Sequence, residues 1–467
     1  MTNKYNVDSS KFIPKGKDIM HIIVIGGSRV GRELSKKLIR KEQSVIMIEK
    51  NEAKAREIEK NIKIPVVDGN GANIDDLKKA KVKHAQMVIA VTENDAVNVI
   101  SCMLAKHLGI PLTVARVLQP ESVGAGHSSG LSKSQLGLDF VINPKKALAQ
   151  EISKLIQFPY AGEIEQFADG RVTIAEVDVE SDSKVINQKL RDITLPEGCM
   201  VMGIKKTNGK LILPENNDII KEGDKIYLAG NTCIIEDASF EIVTEKSSSN
   251  RVVILGGGKA GFHLAELLEA SPEHNYLIKI IEKDHSRCCY LKRSLRKSII
   301  LEGSYFNEEE IEEADVLVSL TGDDKTNIIA SIMAQKKDIK IFSEINDLYY
   351  NNIFEAVGIK KIINPHLITT SQILRFARKE NIVSLVILQN ENAEVMEILL
   401  PESSPASGRK ICQINLPPKL KIGPIVRDDK VIIPDKDTVF QQNDRVIVFA
   451  PFSMNDNKIH SYLVHSK

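Results

Sequence analysis

HIIVIGGSRVG, His21 to Gly31, decides the fold, because it returns as RVVILGGGKAG, Arg251 to Gly261. Each stretch runs from a β-branched strand through a glycine turn into the start of a helix. Apolar residues without polar alternation suit a strand buried on both faces. Working outward, the likeness continues. VVDGN (Val66–Asn70) matches ILEGS (Ile300–Ser304), and VIAVTENDAVNVI (Val88–Ile100) matches LVSLTGDDKTNII (Leu317–Ile329). VINP (Val141–Pro144) matches IINP (Ile362–Pro365), and Gly203, Pro214 and Asp224 match Gly423, Pro434 and Asp444. The chain is a tandem duplication of a unit of about 220 residues.

Each copy has two parts. In the first copy, apolar runs at Ile22–Ile25, Val45–Ile48, Pro65–Val67, Met87–Val91, Leu112–Val117 and Phe140–Ile142 alternate with helical stretches. This predicts an α/β fold with a Rossmann-like, doubly wound parallel sheet in each copy, over residues 20–145 and 250–367. The second part, 160–245 and 380–455, is a small α+β lobe. Its RVTIAEVDVE (Arg171–Glu180) alternates apolar and polar residues, which predicts a half-exposed strand. KKALAQEISKLI (Lys145–Ile156) and TTSQILRFARKE (Thr369–Glu380) are helical joints between the parts. SSSN (Ser247–Asn250) is the polar joint between the copies, and residues 1–19 read as a disordered leader with no secretory h-region.

Composition narrows the function. Of 467 residues, 63 are Lys or Arg and 62 are Asp or Glu, a net charge of +1. That argues against a dominant footprint for nucleic acid or an anionic membrane. No apolar run reaches the length of a bilayer span. Cys102, Cys199, Cys233, Cys288, Cys289 and Cys412 are dispersed without a CxxC, so they read as reduced thiols of a cytosolic protein, not a zinc or disulfide framework.

The glycine loops carry the chemistry. Gly256-x-Gly258-x-x-Gly261 follows a strand and opens a helix, and Glu282 comes 21 residues after Gly261. The first glycine permits the tight turn, the second a close pyrophosphate, the third close packing of helix on strand. The helix N-terminus offers free N–H groups to phosphate. An acid at the end of the second strand accepts hydrogen bonds from a ribose diol and repels a 2′-phosphate, favouring NAD over NADP. The first copy has Gly26-x-Ser28-x-x-Gly31 and then Glu49, 18 residues later. Ser28 leaves the ligand of that site open: its Cβ crowds a pyrophosphate, or its hydroxyl donates to one. Arg29 and Lys259 share one slot, where a cation either reaches a terminal phosphate or stays a solvated first-turn charge. Asp68 and Thr92, with Glu302 and Thr321 in the second copy, lie after the third and fourth strands, where the crevice at the carboxyl edge forms.

A dehydrogenase also needs a proton-transfer group beside the nicotinamide. The ten histidines are scattered, no HExxH, GxSxG or Walker A pattern occurs, and Cys288-Cys289 lies on a helix-like stretch where idle thiols are the norm. Two similar folds, each followed by the same lobe, read as paired sensors and not as an enzyme.

The order of Rossmann fold and small lobe, repeated, with a ribose acid, GN or GS turn, T-x-x-D-x-x-N and INP, resembles the RCK family (KTN plus TrkA-C units). Two units in tandem resemble the TrkA type of that family. The resemblance implies nucleotide contacts at Gly26, Ser28, Arg29, Gly31, Glu49, Asp68 and Thr92, and at Gly256, Gly258, Lys259, Gly261, Glu282 and Thr321. It implies NAD(H), possibly ATP or ADP, as ligands, with an arginine at the Arg29 position associated with ATP phosphate. It further implies no catalytic or metal residues and a homo-oligomeric ring, tetrameric by expectation. That ring would sit on the cytoplasmic face of the membrane against a TrkH-like potassium-transporting subunit, regulating transport without conducting. The alternatives are an RCK regulator of another ion carrier and a cytosolic NAD-dependent oxidoreductase.

Overall fold

The structure, a computed structural model, describes residues 19–119, 136–157, 161–242, 250–271, 275–306, 308–335, 339–359, 361–376, 382–388, 393–417, 420–451 and 462–464. The leader, apart from residue 19, and most of the SSSN joint lie outside the described residues.

The first copy opens with β1 (His21–Ile25), α1 (Arg29–Arg40), β2 (Ser44–Glu49), α2 (Glu52–Ile62), β3 (Val66–Asp68), α3 (Ile74–Lys79), β4 (Met87–Ala90), α4 (Asp95–His107), β5 (Leu112–Arg116), β6 (Phe140–Ile142) and α5 (Pro144–Gln157). The sheet has the order β3-β2-β1-β4-β5-β6, all parallel, the doubly wound Rossmann order. Every residue of β1 is buried, and its side chains divide between two cores. Ile22 and Val24 meet Leu34 and Leu38 of α1, while Ile23 and Ile25 meet Leu77 of α3 and Val99 of α4. A strand covered by helices on both faces needs no polar alternation, which is why the run is uniformly apolar.

A lobe follows, built from β7 (Ala161–Phe167), β8 (Val172–Asp178), β9 (Cys199–Lys205), β10 (Leu211–Ile212), β11 (Lys225–Asn231) and α6 (Thr232–Ile242), with an antiparallel sheet ordered β10-β9-β11-β8-β7. The second copy repeats both parts. Its parallel sheet, ordered β14-β13-β12-β15-β16-β17, comprises β12 (Arg251–Leu255), β13 (Leu277–Glu282), β14 (Ile299–Glu302), β15 (Val316–Ser319), β16 (Lys340–Glu344) and β17 (Ile362–Ile363). Its helices are α7 (Lys259–Glu269), α8 (His285–Ser294), α9 (Glu308–Glu312), α10 (Asp324–Gln335), α11 (Asn351–Ala356) and α12 (Pro365–Phe376). The second lobe holds β18 (Ile382–Ile387), β19 (Ala393–Leu399), β20 (Lys421–Arg427), β21 (Lys430–Ile432) and β22 (Arg445–Pro451), ordered β18-β19-β22-β20-β21.

The copies interlock. Helix α5 packs on α7 of the second copy, and α12 packs on α1 of the first. Ile373 and Leu374 of α12 are buried in the same core as Ile22 and Leu34, and Leu148 and Ile152 of α5 share a core with Val252 and Leu264. Lys145 at the start of α5 reaches the fully buried Glu344 of β16 at 2.8 Å. Its counterpart His366, at the start of α12, lies within the field of Arg29, Arg116 and Lys145. Burial first, and those three cations next, hold its imidazole below the ordinary 6.5.

The lobes also pack on each other, and here the structure departs from the sequence reading. Strand β8 is not half-exposed: Val172 through Val177 are all buried. Val172 and Ile174 lie in a core shared with Val395, Ile447 and Phe449 of the second lobe, while Ala175 and Val177 face the other way. Two polar members of the alternation, Thr173 and Glu176, are buried with partners, Thr173 bonded to the Thr232 hydroxyl and Glu176 accepting from Lys225 and from the Tyr227 hydroxyl. Charged pairs rim the interface, with Arg445 against Asp169 and Arg171 against Asp429.

Phe449 is 1% exposed, with its ring centroid 6.1 Å from that of Tyr227 across the lobes. Phe449→Ala is expected to cost about 3–5 kcal/mol in urea unfolding, the usual range for a buried phenylalanine. His366 is protonated more readily unfolded than folded, so its neutral form stabilises the fold above pH 6.5, and that stability is lost as pH falls toward its lowered folded value. Thermal midpoints measured downward from pH 7.5 should therefore drop less steeply in His366→Gln than in the parent chain.

Candidate functional site

The turn after each first strand is built by two unavoidable glycines. Gly26 has φ +104° and Gly256 φ +101°, a region that side chains disfavour. At the helix start, a Cβ on Gly31 would stand 2.0 Å from the Gly26 carbonyl oxygen, and one on Gly261 would stand 2.1 Å from that of Gly256. Backbone packed on backbone leaves nothing to give way.

The middle position differs. A Cβ on Gly258 would meet nothing within 4 Å, so no protein contact demands glycine there. Ser28 takes nearly the same backbone, φ −62° and ψ 172° against −59° and −171° for Gly258. Its hydroxyl donates to the Val91 carbonyl at 3.0 Å and accepts from the Gly31 N–H at 3.5 Å, so it caps α1. Helix α7 has no side-chain cap. Ser28 therefore adds a cap to the loop, and its hydroxyl is already engaged with protein.

The acids at the ends of the second strands grip the loops. Glu49 Oε2 accepts the Gly27 N–H at 2.6 Å and Oε1 accepts that of Asn51 at 2.8 Å. Glu282 Oε2 accepts the Gly257 N–H at 2.8 Å, while Oε1 accepts from the N–H groups of Lys283 (2.6 Å) and Asp284 (3.0 Å) and from the Tyr305 hydroxyl at 3.1 Å. Burial, and then the Glu282 carboxylate, push the Tyr305 phenol up to about 12. Gly27 and Gly257 were not singled out from the sequence. A Cβ on Gly27 would stand 2.8 Å from Glu49 Oε2, and the GG pair repeated in both copies was the available signal.

Asp68 ends β3, exposed, in register with Glu49. Its counterpart Glu302 is in register with Glu282 but is engaged by His285 at 2.7 Å. Thr92 and Thr321 serve a clamp: their hydroxyls donate to Asn98 at 2.6 Å and to Asn327 at 2.7 Å. Each asparagine is fully buried and donates to the end of the fifth strand, Asn98 to the Arg116 carbonyl and Asn327 to that of Glu344. The aspartate between them holds the following loop. Asp95 accepts from the N–H groups of Leu118 and Gln119, and Asp324 from those of Asn346 and Asp347. The T-x-x-D-x-x-N motif thus shapes the wall at the switch point of the sheet, where doubly wound folds take ligands.

Arg29 and Lys259 cross to the opposite copy. Arg29 donates to the Asn346 carbonyl and to Asp347 at 3.1 Å; Lys259 donates to the Leu118 carbonyl at 3.2 Å. Each loop cation rests on the switch-point loop that the other copy's aspartate holds. The structure thus brings the glycine loop, acid and threonine of each copy to one sheet edge and joins the two edges through these cations.

The TrkA-N domain matches residues 22–144 and 252–365, and the TrkA-C domain matches 174–238 and 395–454. The chain is 31% identical over 444 residues to Trk system potassium uptake protein TrkA homolog 2 of Methanosarcina mazei, covering 92% of this chain and 97% of that protein. It is 30% identical to the Trk system potassium uptake protein TrkA of Halomonas elongata, covering 92% and 96%. Among solved structures, the GsuK RCK domain aligns with a TM-score of 0.58 at 18% identity, covering 96% of each chain. The GsuK channel bound to NAD aligns at 0.59 and 18%, covering 96% of this chain and 80% of that one.

The glycine positions make a paired test. Gly261→Ala is expected to destabilise by about 3 kcal/mol or more, because backbone overpacking has no relief. Gly258→Ser, which copies the first loop into the second, is expected to stay within about 0.5 kcal/mol of the parent. Urea unfolding of both variants checks the contrast.

Proposed function

The chain belongs to the family of TrkA-N and TrkA-C proteins, and from that premise we propose that it is the nucleotide-sensing regulatory subunit of a potassium uptake system. The observation that carries the reading is the pair of carboxylates, Glu49 and Glu282, each holding a glycine N–H at the end of a second strand. An acid at the end of the second strand is the group that accepts from a ribose diol in doubly wound folds, and the loop it steadies directs helix N–H groups at phosphate. The relatives named as potassium uptake proteins and the NAD-bound GsuK channel support this class of ligand and this process.

The ligand at both loops is NAD(H), with ATP or ADP the competing choice where Arg29 or Lys259 turns to a terminal phosphate. Gly26, Ser28, Gly31, Asp68 and Thr92 complete the first site, and Gly256, Gly258, Gly261 and Thr321 the second. Either cation can leave the opposite switch-point loop for a phosphate, so nucleotide changes what holds the two Rossmann units together. A ligand shifts such an equilibrium only by its differential affinity, and a tenfold preference is worth about 1.4 kcal/mol per site. In a homo-oligomeric ring, a tetramer in this reading, those increments add. The ring passes the change to a TrkH-like membrane subunit on the cytoplasmic face. No described helix is long and apolar enough to cross a membrane, so conduction is assigned to that partner.

Calorimetric titration of NAD⁺, NADH, ADP and ATP into the whole chain tests this. A hydrogen bond to a charged group is worth about 1.5–3 kcal/mol, so Glu282→Ala and Glu49→Ala should each weaken one of two nucleotide sites by about tenfold or more. Saturating nucleotide should also change potassium flux when the chain is reconstituted with a TrkH-type subunit. Absence of binding by every nucleotide overturns the reading; turnover of NADH with a metabolite panel would replace it with an oxidoreductase.

A further inference from the structure

Helix α8 carries two adjacent cysteines with opposite surroundings. Cys288 is 1% exposed and its Sγ lies 3.5 Å from the Glu282 carbonyl, and burial pushes its thiol up. Cys289 is half-buried on the outer side. One turn earlier stands His285, with its Nε2 3.6 Å from Cys289 Sγ. The other ring nitrogen, Nδ1, lies 2.7 Å from Glu302 Oε2 at the end of β14.

A carboxylate accepts only, so Nδ1 carries the proton and Nε2 is left as the acceptor facing the thiol. Thiol, base and orienting acid stand in the order that activates cysteine nucleophiles. The i,i+4 spacing on α8 supplies the Cys–His contact, and the parallel pairing of β13 with β14 brings the acid from elsewhere in the chain. His285 is three-quarters exposed, so a small reagent reaches the sulfur from solvent. Lys292 and Arg293, exposed in the last turn of α8, place positive charge three and four residues beyond Cys289.

We propose that Cys289, His285 and Glu302 form a reactive-thiol site that takes up small anionic disulfides as mixed disulfides. Cys289 gives its proton to His285 Nε2, and the thiolate attacks one sulfur of the disulfide. A new S–S bond joins Cys289 to that half. The original S–S bond breaks, and its electron pair leaves with the second sulfur, which takes the proton back from the imidazolium as a free thiol. The Cys289 sulfur is oxidised and the departing half is reduced. The site needs neither the glycine loop nor a bound nucleotide, so it stands or falls apart from the sensor reading.

The test is reaction of the whole chain with oxidised glutathione, with each cysteine followed by peptide mass spectrometry. Exposed Cys233 and Cys412 are internal references. Cys289 is expected to react at least about tenfold faster than either, the gain that base activation of a thiol supports. His285→Gln should bring Cys289 down to the reference rate, Glu302→Gln should give an intermediate rate, and Cys289→Ser should remove the fast phase. Continued protection of the buried Cys102 in each variant shows that the fold is kept. The proposal is overturned if Cys289 is no faster than Cys412, if its rate survives His285→Gln, or if the fast phase survives Cys289→Ser.

Discussion

The exchange of α5 and α12 between the two copies is the constraint on which the rest depends. Each follows the sixth strand of its own sheet and buries its apolar side on the first helix of the other sheet. Ile373 and Leu374 become part of the first core, and Leu148 and Ile152 part of the second. Neither copy can rotate freely without exposing those side chains to water, so the exchange sets how the two glycine loops face each other. Arg29 and Lys259 then meet the opposite switch-point loops as a consequence of that arrangement.

Within each copy the loop is prepared before any ligand arrives. Gly26 and Gly256 take a left-handed turn, Gly31 and Gly261 let helix approach strand, and the carboxylate of the second strand holds the N–H of the glycine between. A loop already held in one conformation loses less freedom on binding. The copies differ at Ser28, whose hydroxyl closes a helix cap while Gly258 leaves the same place open. The two loops share a frame and differ in the surface they present.

Burial gives neighbouring residues different chemistry. Cys288 and Cys289 are identical in type and adjacent in sequence, yet one faces the core behind Glu282 and the other faces His285. Glu302 occupies the register position of Asp68; both are exposed, and Glu302 is engaged by an imidazole. Duplication preserved the backbone frame while side-chain partners diverged.

The sequence by itself determined the doubly wound parallel class, the doubling, and the placement of glycines and acids after the first and second strands. Each follows from rules legible along the chain: apolar patterning, internal repetition, and backbone geometry that only glycine allows. The alternation of β8 promised a wet face, but tertiary structure covered that face with the second lobe. The destinations of Arg29 and Lys259, the clamp role of Thr92 and Thr321, and the Cys289–His285–Glu302 contact also came only with the fold. The reason is physical: periodicity reports which side of an element avoids water, and only the packing of distant segments decides what covers it.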